Sequence, residues 1–203
     1  MPIFRCQSKY ERDLHRLGYT RVAGVDEVGR GSLFGPVFAA AVVLDPARAI
    51  RGLRDSKMLA PERRGELAVR IRARAVAFAV GAADVFEIDR FNILQGARLA
   101  MRRAVEKLQP APDYLLVDAT TVDLPLPQRA LIHGDALSQC IAAASILAKV
   151  MRDRLMTRLA VRYPAYGWER NAGYSTPEHY AAIAAAGPCR HHRMGFAPFR
   201  TPG

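Results

Sequence analysis

Val25-Asp26-Glu27-Val28-Gly29-Arg30-Gly31 closes an apolar, strand-like run that begins at Val22. Two adjacent carboxylates are hard oxygen ligands of the kind Mg²⁺ and Mn²⁺ prefer. Arg30, between two glycines, adds a cation suited to phosphate or sugar on a backbone that tolerates unusual φ/ψ and close approach. Asp-Glu before a glycine turn is also a common way to end a strand, so the segment needs corroboration from the rest of the chain.

Working outward, Pro36 to Leu44 reads as a second strand, spaced for antiparallel pairing with Val22–Val28. Pro61 opens a helix in which Leu67, Ile71 and Ala75 recur four apart. Phe78 to Val85 predicts a third strand. Ile88, Phe91, Leu94, Ala97, Met101, Ala104 and Leu108 predict one long amphipathic helix stopped at Pro110. Tyr114 to Val117 is continuously apolar, as in a strand covered on both faces, and ends on Asp118. Leu131-Ile132 predicts a short strand leading to Gly134-Asp135. Ser138 caps a helix running to Tyr163-Pro164, with Ala144, Ala148, Met151, Leu155 and Leu159 as its core stripe. Ser145, Lys149 and Asp153 form a separate polar line on that helix. Thr176 to Ala186 predicts a last short helix with Pro177 in first position. The order argues for one α/β domain over residues 1–203, a mixed β-sheet flanked by helices with a small C-terminal helical part.

Asp26, Glu27, Asp118 and Asp135 all fall at predicted strand ends or just after them, where α/β sheets gather ligands. Four assembled carboxylates repel unless a cation compensates, and an all-oxygen set favours Mg²⁺ or Mn²⁺ over zinc. Neighbouring residues on a regular strand face opposite ways, so the strand is expected to break its alternation at Glu27.

The formal charge of +11 and pI near 10.2 point to a polyanionic partner, nucleic acid first. The excess is spread along the chain, so no basic arm is implied; 26 of its 30 basic residues are Arg, a bias that genome composition also produces. The longest apolar run, Val37 to Leu44, suits a buried strand and no membrane span. Met1 to Thr20 mixes charges and lacks a secretory apolar stretch. Cys6, Cys140 and Cys189 form no CxxC pair, which points to a reduced, cytoplasmic setting.

Taken in order, these segments resemble the type 2 ribonucleases H, the ribonuclease HII family. The resemblance is carried by Val25 to Gly31 with Gly35-Pro36, Asp55-Ser56-Lys57, Glu87-Ile88-Asp89 and Asn92-Ile93-Leu94. It continues through Leu116-Val117-Asp118, Gly134-Asp135, Ala142 to Val150, Arg152-Asp153-Arg154 and Gly173-Tyr174. It implies a ribonuclease H-like fold and an endonuclease that cuts the RNA strand of RNA/DNA hybrids. It further implies incision 5′ to single ribonucleotides in duplex DNA, leaving 3′-hydroxyl and 5′-phosphate ends. By the resemblance, Asp26, Glu27, Asp118 and Asp135 are the catalytic metal ligands of a two-metal site. Gly29, Arg30 and Gly31 would contact the ribose 2′-hydroxyl, Tyr174 would stack under the following sugar, and Lys57, Ser145 and Lys149 would hold phosphates.

Ala119-Thr120, His133 and Asn171-Ala172 depart from the family's usual residues at those points, which bears on secondary phosphate contacts. No clamp-binding peptide is evident near the C-terminus, and action as a monomer is expected. His191 and His192 are expected to support C-terminal packing or contact phosphate. Two rivals are a type 3 ribonuclease H and a basic hybrid-binding protein without chemistry.

Overall fold

The computed structural model describes residues 8–199. Cys6 lies outside the described residues, as do all residues after Phe199 and the first seven residues of the stretch read for a secretory signal. Five strands form one mixed sheet in the order β3-β2-β1-β4-β5. They are β1 (Val22–Val28), β2 (Val37–Leu44), β3 (Ala75–Ala83), β4 (Tyr114–Asp118) and β5 (Gln128–Leu131). β1–β2 and β2–β3 pair antiparallel, whereas β1–β4 and β4–β5 pair parallel. Eight helices are described: α1 (Lys9–Arg16), α2 (Pro61–Arg74), α3 (Val85–Phe91), α4 (Ile93–Glu106), α5 (Gly134–Leu137), α6 (Gln139–Arg162), α7 (Trp168–Asn171) and α8 (Pro177–Ala186).

The sheet is covered on both faces, which is why β1, β2 and β4 read as nearly unbroken apolar runs. On one face Ala23, Val25, Ala39, Ala41, Leu115 and Val117 pack against Ala97, Ala100, Met101 and Ala104 of α4. On the other, Ala40 and Val42 pack against Leu67 and Ile71 of α2 and Ala143, Ile146 and Leu147 of α6. α6 crosses β1 so closely that a Cβ on Gly24 would lie 2.1 Å from the Cys140 carbonyl carbon, a contact only glycine permits. A third cluster, with Phe34, Met156, Tyr166 and Trp168, holds the small C-terminal helical part to the far end of α6.

Most elements lie where the sequence places them, with four informative differences. The long helix expected from Ile88 to Leu108 is two helices broken at Asn92, whose φ is +72°. The Asn92 side chain accepts hydrogen bonds from the Leu94 and Gln95 N–H groups and so starts α4 afresh. Phe91 and Leu94 consequently stand exposed instead of on the core stripe. On α6, the expected stripe residues Met151, Leu155 and Leu159 are only partly buried, while Arg152, Met156 and Ala160 are buried. Ile132, read as part of a strand, follows β5 as an exposed residue.

The fourth difference concerns Glu27. β1 stays in register with β2 through Val28, pairing Asp26 with Ala40 and Glu27 with Ala39. The expected break in alternation is absent: Asp26 faces α6, and Glu27 faces the α4 side. Pairing with β4 ends at the Val25–Val117 rung, so Glu27 lies past the last parallel rung at an open strand end.

Candidate active site

The parallel register of β1 and β4 sets Asp26 beside Asp118 on the α6 face, at the carboxyl ends of both strands. Asp135 joins them from the first turn of α5, and the Gly134 N–H before it donates to Asp118 Oδ1 at 2.7 Å. Asp26 is 6% exposed, and its Oδ1 accepts the Glu27 N–H at 2.7 Å. Burial pushes the Asp26 carboxyl well above the usual carboxylate range, and the negative charges of Glu27, Asp118 and Asp135 push it further. The Ser145 hydroxyl partly offsets this. Asp135 is raised to about 6 by burial, then by Asp55 and Asp118, with Lys57 opposing. Burial also raises Glu27, against the pull of Arg30, whose Nη1 lies 3.3 Å from Glu27 Oε1.

The four acids read from the sequence therefore share one electrostatic environment. Hard oxygen donors with raised carboxyl pKa values fit a divalent cation, which would relieve the repulsion. Among the described residues, however, no group of three or more His, Cys, Asp or Glu is arranged to hold a metal ion as it stands. Glu27 leaves the strand on the side of its partner Ala39, yet its charge acts on Asp26 more than that of Asp118 or Asp135 does.

A fifth acid belongs here. Asp55 accepts the Lys57 N–H at 2.8 Å at the start of the short 3₁₀ turn Ser56–Met58, and its charge reaches Asp135. Its place in Asp55-Ser56-Lys57 was visible, but an acid before a short turn reads as a cap. Lys57 is held protonated: burial pulls its pKa down, and Asp55, Asp135, Asp26 and Asp118 outweigh that.

The remaining residues divide. Gly29 has φ +93°, a conformation that favours glycine, and a Cβ there would lie 2.4 Å from Arg152 Nε. Arg30 and Gly31 are exposed, and nothing lies within 4 Å of a Cβ built on Gly31. Tyr174 is brought beside this turn by an antiparallel bridge to Ser32, and the Leu33 N–H donates to Gly173 O at 2.9 Å. Ser145 is buried under the acids, its hydroxyl donating to Ser56 Oγ at 2.9 Å. Lys149 is engaged by Asp153 at 2.7 Å, an acid that also meets Arg64 at 3.4 Å. The Glu87 and Asn92 motifs are structural. Glu87 closes a capping box with Asp84 and binds Arg103 at 2.6 Å, while Asp89 accepts the Met194 and Gly195 N–H groups.

His192 belongs to the packing of the C-terminal part. Its Nδ1 accepts the Cys189 N–H at 2.9 Å, so its Nε2 carries the proton toward His179 Nε2 at 3.3 Å. His179 Nε2 also accepts from Trp168 Nε1, and its Nδ1 donates to Tyr174 O at 2.9 Å. Both rings are neutral in this network, and burial lowers His192 to about 4.

Comparison with known proteins matches this geometry to a family. The family model described as Ribonuclease HII matches residues 23–198, from β1 through the segment that carries Arg193. This chain belongs to the ribonuclease HII family. A ribonuclease HII of Solibacter usitatus is 57% identical over 197 residues, covering 97% of this chain and 86% of that one. Among solved structures, the ribonuclease HII of Archaeoglobus fulgidus in its complex with PCNA superposes with TM-score 0.74 at 27% identity, over 90% of this chain and 98% of that one. Bst-RNase HIII, solved in complex with Mn²⁺, superposes with TM-score 0.67 at 23% identity, over 91% and 70%. The fold is therefore ribonuclease H-like, and ribonuclease HII membership makes the chain a hydrolase, an endonuclease acting on the RNA of RNA/DNA hybrids. No helix among the described residues is long and apolar enough to cross a membrane.

Proposed function

We propose that this ribonuclease HII also incises duplex DNA 5′ to single embedded ribonucleotides, leaving 3′-hydroxyl and 5′-phosphate ends. The observation that supports this reading is the Ser32–Tyr174 bridge, which joins the Gly29-Arg30-Gly31 turn to a tyrosine from the other end of the chain. The turn begins two residues after Glu27, so a sugar held there lies beside the acids. The 2′-hydroxyl is the one group that marks a ribonucleotide within DNA, and the open space around Gly31 lets backbone donors approach it. Tyr174 offers a flat face for the neighbouring sugar.

Asp26, Asp118 and Asp135 would hold Mg²⁺ or Mn²⁺, with Glu27 contributing from the open strand end. Two such ions held by these residues would supply an activated water and charge stabilisation for the leaving 3′-oxygen. Raised carboxyl pKa values and an all-oxygen donor set favour this, as does the Mn²⁺ complex of the related fold. Arg30 offsets part of the burial that raises Glu27, and its side chain remains partly exposed. Lys57 holds a fixed positive charge amid the acids where a substrate phosphate must enter. Ser145 acts beneath Asp26, and Lys149 reaches phosphate only by exchanging Asp153 for it. Phosphate contacts of this kind carry no base specificity.

Residues 1–203 are proposed to act as a single catalytic domain, monomeric and cytoplasmic. Gel filtration tests the first state, and pull-down against a sliding clamp of the PCNA kind tests independence. The deciding experiment supplies Mg²⁺ or Mn²⁺ and a DNA duplex with one ribonucleotide, beside a continuous hybrid. Cutting of the hybrid alone would remove the single-ribonucleotide reading. Arg30→Ala is expected to slow the single-ribonucleotide cut by about tenfold or more, the loss of one charge-assisted contact.

A further inference from the structure

Arg152, from the Arg152-Asp153-Arg154 stretch of α6, and Arg193, beyond α8, are both fully buried. No carboxylate lies within ion-pair distance of either among the described residues. Two buried cations near each other are costly, and apolar side chains of similar volume would fill the space more cheaply. Burial draws the Arg193 guanidinium down to about 9, and the charge of Arg152 adds to that.

What satisfies them is backbone carbonyl oxygen and the Ser32 hydroxyl, on two segments whose Ser32 and Gly173 lie 141 residues apart. Arg193 donates from Nη1 to Arg30 O at 2.8 Å and from Nε to Gly35 O at 2.9 Å. Arg152 donates from Nη1 to Ala172 O at 2.9 Å and from Nη2 to Ser32 Oγ at 2.8 Å. Its guanidinium carbon lies 5.2 Å from the centre of the Tyr174 ring, and its Nε occupies the space that a side chain on Gly29 would need. Among the described residues Arg152 Nε and Arg193 Nη2 are buried without a hydrogen-bond partner, so hydrogen bonding alone does not account for placing charge here.

We propose that Arg152 and Arg193 are positioning residues that lock the Gly29-Arg30-Gly31 turn to Tyr174, and that recognition of a single ribonucleotide depends on this lock. The proposal rests on the reading of that turn and tyrosine given above. Arg152 acts from the Tyr174 side and Arg193 from the turn side, and neither touches substrate. The Arg fork explains the choice of residue: lysine keeps the charge but cannot hold two oxygens in fixed directions.

The test compares Arg152→Lys and Arg193→Lys with wild type on two Mg²⁺-supported reactions, a duplex with one ribonucleotide and a continuous hybrid. Each variant is expected to lose about a hundredfold in kcat on the single ribonucleotide with KM little changed, because misplacement by an ångström costs that much. Hybrid cutting is expected to fall less than about tenfold by the same reasoning. Adding Tyr174→Ala to Arg152→Lys is expected to cost nothing beyond Tyr174→Ala alone, because both remove one coupling. Equal losses on both substrates, losses that multiply in the double variant, or failure of both variants to fold would overturn the lock. Wild-type protein that leaves the single ribonucleotide uncut would instead remove the underlying reading, a result distinguishable from wild-type behaviour of the lysine variants.

Discussion

The two halves of the site solve opposite electrostatic problems. At the ends of β1 and β4, acids of one sign gather with Lys57 and Arg30 as their nearby cations, and two of them are pushed far from the usual carboxylate range. Between the Gly29 turn and Tyr174, two arginines of the opposite sign are buried with carbonyl oxygens around them. The acid half keeps its lone pairs for something from outside. The arginine half spends its donors on the protein's own backbone. One half is built to be completed by ligands, the other to hold a shape.

The largest expected effect breaks the acid half. Asp118→Asn or Asp26→Asn should lower hybrid cleavage by about a thousandfold, since a ligand to the catalytic ions contributes several kcal/mol. Hybrid binding and the melting temperature should hold. Unchanged turnover in both variants would end the metal-site reading.

The next pair sharpens the contrast through pH, with signs that oppose. Asp135 has a folded pKa near 6, above its unfolded value near 3.9. Its ionisation therefore destabilises the metal-free protein above about pH 6, and the penalty fades as pH falls toward 4. Asp135→Asn should raise metal-free stability at pH 7 by about 1 kcal/mol, after allowance for solvent screening, and added Mg²⁺ should erase that advantage. His192 is lowered to about 4 from near 6.5, so the unfolded chain takes its proton first. Stability from the neutral ring is present above about pH 6.5 and is lost as pH falls toward 4. His192→Gln should flatten that loss by about 1–3 kcal/mol. Denaturant melts of chelator-treated protein from pH 4 to 8 measure both, and slopes of the same sign would dissolve the contrast.

The smallest effect tests a departure from the family pattern. Ala119, directly after Asp118, has φ +52°, where the Cβ of an L-residue is crowded. Ala119→Gly should stabilise by about 1 kcal/mol in a thermal melt with cleavage unchanged. Ala172, at φ +47° just before Gly173, is a second such position.

Legibility differs between the halves for a physical reason. Asp26 and Asp118 end apolar runs and Asp135 follows one with two residues between, local signals from which they could be gathered by order alone. Asp55 could not, because its capping bond to Lys57 N is all that a local reading predicts. Arg152 lies one position from the expected core stripe of α6, and an arginine there reads as solvated. Its burial depends on Ser32 Oγ, 120 residues away. The break at Asn92 was hidden by apolar spacing that continues through it, while one side chain capping two N–H groups decided the chain's direction. The strand at Glu27 was expected to distort because two acids were assumed to need one face. The register with β2 keeps it regular, and the early end of β4 opens that end of β1 instead.

The amino-acid sequence by itself determined the strands that carry the acids, the glycine-flanked Arg30 and the ribonuclease HII family, since periodicity and short motifs are local properties. β3, by contrast, begins at Ala75, read as helical, and ends at Ala83, short of Val85. Only the tertiary structure decided which face Glu27 takes, that Ser145 and Lys149 are engaged by Ser56 and Asp153, and that Arg152 and Arg193 join the turn at Gly29 to Tyr174. Burial and partner choice are settled by groups far apart in the chain, and no local pattern carries that information.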